Sequence, residues 1–61
     1  MDNSFVYFMN VVKTLAQSNG FYGRILKKIN NLSSDELQQM KNYINAQTFN
    51  EPIDVIMFLE A

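Results

Sequence analysis

The stretch NEPIDVIMFLEA, residues 50–61, decides the fold, because it reads either as a short helix or as a terminal strand. Pro52 suits a first helical turn, where its missing N–H has no intrahelical partner to lose, and Asn50 is a good cap before it. These start signals predict a helix over residues 51–60. The strand competitor rests on IDVIMF, which is also strand-like. Asp54 is the one charge between Pro52 and Glu60. A helix that is apolar nearly all round is either a central core helix or half of an interface. The sequence therefore offers Met57, Phe58 and Leu59, beside Tyr7 and Val11, as a candidate protein interface.

Upstream, LSSDELQQM carries the clearest local signal. Ser33 followed three residues later by Glu36 is a capping box, and Asp35 and Glu36 favour the positive end of the helix dipole. A helix over 34–47 follows, with Leu37, Met40, Ile44 and also Tyr43 expected inward and Gln38, Gln39, Lys41, Asn42 and Asn45 expected outward. Further back, residues 4–18 repeat Phe5, Phe8, Val12, Leu15 and Ala16 at helical spacing. Asp2, Asn3 or Ser4 can cap that first turn. A strand over 5–12 is the weaker alternative. Between the two, residues 21–31 form a second helix with an apolar stripe of Phe21, Tyr22, Ile25, Leu26 and Ile29. Gly20 is expected to close the first helix in the left-handed conformation. Gly23, costly in a helix, is expected to mark close approach of another backbone.

These readings assemble into an all-α fold, a bundle of four short helices in a single domain spanning 1–61, with a homodimer as an option. A chain of 61 residues buries only about 60% of its unfolded surface, so self-association or dense packing must support it. Cysteine and histidine are both absent. Disulfides, thiolate chemistry and the usual zinc ligands go with them. The carboxylates are better explained as helix-start charges than as an acid–base pair, and no phosphate loop or calcium loop has the required spacing. The expectation is a protein without catalytic residues, cofactor, metal or small-molecule substrate. No signal peptide and no apolar run of about 18 residues is read, so a cytoplasmic chain without membrane contact is expected.

Charge is divided along the chain. Residues 1–30 hold Lys13, Arg24, Lys27 and Lys28 against Asp2, while residues 31–61 hold Lys41 against five carboxylates. Such a division marks either a basic face for an anionic partner or two halves that complement each other. The basic part supports a nucleic-acid reading. Ala16, Gly20, Leu26 and Ile29 match a helix-turn-helix spacing over residues 15–29, with Tyr22, Arg24, Lys27 and Lys28 as outward contacts to nucleic acid or to an acidic partner. Asn19 and Gly23 depart from that pattern, and few cations are available for phosphates.

The runs AQSNGFYGRIL, LSSDELQQM and FNEPIDVIMFLEA resemble short uncharacterised proteins carried by phages and conjugative elements of Gram-positive bacteria, over residues 15–61. The resemblance implies a mobile-element context and no specific activity. The favoured expectation is a protein–protein interaction module acting on another protein; the alternative is a small DNA-binding regulator.

Overall fold

The computed structural model describes residues 3–61, and Asp2, one of the candidate caps, lies outside them. Four helices run in order: α1 (Ser4–Ala16), α2 (Gly20–Asn30), α3 (Ser34–Asn45) and α4 (Pro52–Glu60). No strand occurs among the described residues, so both strand alternatives, 5–12 and the carboxyl-terminal one, give way to helix.

Each helix start has a local cause. The Asn3 side chain accepts from the Val6 N–H at 3.2 Å, and Asn19 accepts from Phe21 at 3.0 Å. Ser33 and Glu36 form the expected capping box, with reciprocal bonds of 3.2 and 3.0 Å. Pro52 stands in the first turn of α4 as expected. The cap there differs: Asp54 reaches back and its carboxylate accepts from the N–H groups of Glu51 and Asn50, at 2.9 and 2.8 Å. Glu51 rather than Asn50 is the N-cap, and the Asp54 carboxylate takes two backbone donors at the positive helix end.

Both glycine expectations are overturned. Gly20 opens α2 and no glycine has a positive φ. The α1 end is closed instead by tight bonds from Gln17 to Thr14 and from Ser18 to Leu15, at 3.3 and 3.2 Å. A β-carbon built at Gly23 meets nothing within 4 Å, so no backbone approaches it.

The core takes one or two residues from each helix: Phe8 and Val12 from α1, Ile29 from α2, Ile44 from α3 and Val55 from α4. α1 contacts all three other helices. The central position expected of α4 as one option therefore belongs to α1, and α4 packs on it through one face only. Its opposite edge carries Ile53 and Met57, both exposed.

Two long-range polar bonds fix the start of α1 to the end of α3. Ser4, 3% exposed, donates its hydroxyl to the Gln47 carbonyl at 2.6 Å, and the Phe5 N–H donates to the Asn45 side chain at 2.8 Å. Asn45, exposed as expected, also caps α1 from across the fold. Lys41, also expected to face solvent, is half-buried with its ammonium 5.6 Å from the centre of the Phe5 ring. The connection from α3 to α4 is pinned by Phe49, whose ring lies 6.4 Å from Tyr7, 6.3 Å from Phe8 and 5.6 Å from Phe58. Edge-to-face and offset ring pairs at such separations contribute beyond their buried area.

Candidate functional site

Because α2, α3 and α4 each lean on α1 more than on one another, an opening remains between them. It is an apolar groove of about 330 Å³. Phe8 forms part of its lining, together with Ile25 and Ile29 of α2, Met40 and Ile44 of α3, and Phe58 and Leu59 of α4. Tyr43, 64% exposed, stands at its edge with its ring 5.9 Å from Phe58. Among the described residues, Lys28 is the one charged residue that lines it. A second groove of about 300 Å³ runs along α1 beside Pro52, lined by Tyr7, Asn10, Val11, Thr14 and Leu15.

The five candidate interface residues are therefore divided. Phe58 and Leu59 line the first groove, Tyr7 and Val11 the second, and Met57 lies on the exposed edge of α4. The expected pairing of the α4 end with Tyr7 and Val11 in one patch is not what the chain builds. The reason is geometric: Phe49 is interposed, with its ring between those of Tyr7 and Phe58.

Of the four candidate contacts on α2, Arg24, Lys27 and Lys28 are exposed and Tyr22 is buried, at 7% exposure. Tyr22 is thus withdrawn from the outward set. It sits two turns before Ile29 and so on the same line of the helix, whereas Phe21, about 100° round the axis, swings to the edge and is 52% exposed. Tyr22 thus keeps its place on the apolar stripe, and Phe21 leaves it. The helix-turn-helix register also shifts: the turn occupies residues 17–19, and Gly20, required in the turn by that spacing, is helical.

Sequence reasoning missed Phe49, Asn45 and Ser4. Phe49 had a signal, a large apolar residue in a polar connection, which marks a segment held down on the core. Ser4 and Asn45 act on residues 43 and 40 positions away, and no local pattern announces them. No helix among the described residues is long and apolar enough to cross a membrane.

Comparison of the chain with protein-family models, with curated proteins and with solved structures finds no match.

Proposed function

We propose that this chain is a non-catalytic protein–protein interaction module of a bacterial phage or mobile element, working in the cytoplasm by binding another protein through the α2–α3–α4 groove. The single observation that carries the reading is the lining of that groove: nine apolar or aromatic side chains and one cation. Small-molecule sites combine an apolar wall with several converging polar groups. Here only the Lys28 ammonium and the Tyr43 hydroxyl are on hand. An apolar trough between helices, with a charged rim, instead suits the apolar stripe of an amphipathic helix, with anchors spaced three and four residues apart. The likeness to mobile-element proteins supplies the cellular setting.

Tyr43→Glu tests the reading, because the residue lines the groove while being mostly exposed, so the fold survives the change. The purified chain is cross-linked in an extract of Gram-positive cells, and its adducts are identified by mass. The wild type is expected to give a discrete protein adduct that Tyr43→Glu loses, with helix content by circular dichroism unchanged. Equal adducts from both chains would overturn the reading.

A small DNA-binding regulator is the second reading, favoured by one observation: Arg24, Lys27 and Lys28 all remain exposed on α2. It predicts a mobility shift with duplex DNA at low salt that weakens with added salt and with Arg24→Ala. Absence of any shift at low salt removes it.

A further inference from the structure

We infer that the occupant of the α2–α3–α4 groove is a second copy of this chain, each copy laying the Ile53–Met57 edge of its α4 into the groove of the other. The inference rests on the reading of that groove as a docking surface, and it names the partner. Ile53 and Met57 lie four residues apart, one turn of helix, and are 51% and 62% exposed. Two large apolar side chains on one edge of a nine-residue helix form a ridge that the described residues leave more than half exposed.

Charge points the same way. Glu60 follows Met57 by three residues and so shares its edge, and Glu51 stands exposed at the other end of α4. The groove carries Lys28 in its lining, and Arg24 lies one turn earlier on the same face of α2. An acidic, apolar ridge thus meets a basic, apolar trough, and both halves belong to one chain. The division of charge along the sequence, four of the five cations before residue 31 and five of the six carboxylates after it, acquires a physical use as complementarity between copies.

Ridge and trough also share a helix. Phe58 and Leu59 wall the groove while Ile53 and Met57 face away from the core. A two-fold axis passing beside α4 can therefore satisfy both contacts at once, each residue pair occurring twice.

Light scattering over a concentration series tests the inference, with three proteins: wild type, Met57→Glu and Tyr43→Glu. The wild type is expected to reach dimer mass. Either variant is expected to raise the dissociation constant about tenfold or more, since each replaces an apolar contact of the interface by a carboxylate. A wild type that stays monomeric at every concentration overturns the inference. So does a dimer indifferent to Met57→Glu or to Tyr43→Glu. A monomeric wild type that still forms a Tyr43-dependent adduct in the cell extract overturns the second copy alone and leaves the docking reading standing.

Discussion

Gly23 sits in the first turn of α2 with open space where its β-carbon would project, so its cost to the helix is not offset by any contact. Gly23→Ala is expected to stabilise the chain by up to about 1 kcal/mol, raising the midpoint of thermal unfolding by about 5 °C. A lower midpoint would mean that the turn depends on glycine after all. Val12 is the opposite case, fully buried on the central helix. Val12→Ala removes two carbons and leaves a cavity, at a cost of about 2–3 kcal/mol by urea unfolding. That is a large share of the roughly 3–9 kcal/mol a chain of this length holds. Ser4→Ala is expected to cost about 1–3 kcal/mol, because the Gln47 carbonyl loses its partner in a buried place. At this scale the sequence was legible where a residue answers to its own helix, as Phe8, Val12 and Ile29 do. It was not legible at Ser4, whose partner is 43 residues away. Tyr22 and Phe21 fall between: the apolar stripe placed Tyr22 in line with Ile29, where it is buried, but it also carried Phe21, which one position round the axis turns outward.

Helix starts were the most legible elements, because their causes span three residues. Ser33 and Glu36 bond each other's backbone, and Pro52 begins α4, as the local chemistry requires. Ends were less so. α1 and α3 stop two residues earlier than the periodicity suggests, at Ala16 and Asn45, because tight terminal bonds and tertiary docking close them where no glycine does. The α4 start now hangs on Asp54, whose carboxylate serves two backbone donors. Asp54→Ala is expected to cost about 1 kcal/mol, as loss of a helix cap does, and to speed amide hydrogen exchange over the first half of α4 more than elsewhere. Uniform acceleration across all four helices would instead place Asp54 in the global fold.

The arrangement of the whole molecule was the least legible level. Periodicity assigns each helix an inner face but does not say which helix the others share. α1 wins that place because its apolar surface is broad: Phe5, Phe8, Met9, Val11 and Val12 give neighbours something to meet on several sides. α4 is more uniformly apolar yet ends at the periphery, being short and joined through a connection that Phe49 anchors. The groove follows from this arrangement, since three helices that share a hub need not close on one another. One consequence is cooperativity: with every helix docked on α1, loss of helix by circular dichroism and loss of the tyrosine environments by fluorescence should coincide in urea. The most direct measurement for the groove and its occupant is a dilution series of amide nitrogen–proton NMR spectra of the wild-type chain. The expected result is concentration-dependent shifts confined to the groove wall, Ile25, Leu32, Met40, Tyr43 and Leu59, and to Ile53 and Met57 on α4, with Tyr7, Val11 and Thr14 still. Spectra that do not change on dilution, or shifts gathered along the α1 groove beside Pro52, would contradict it.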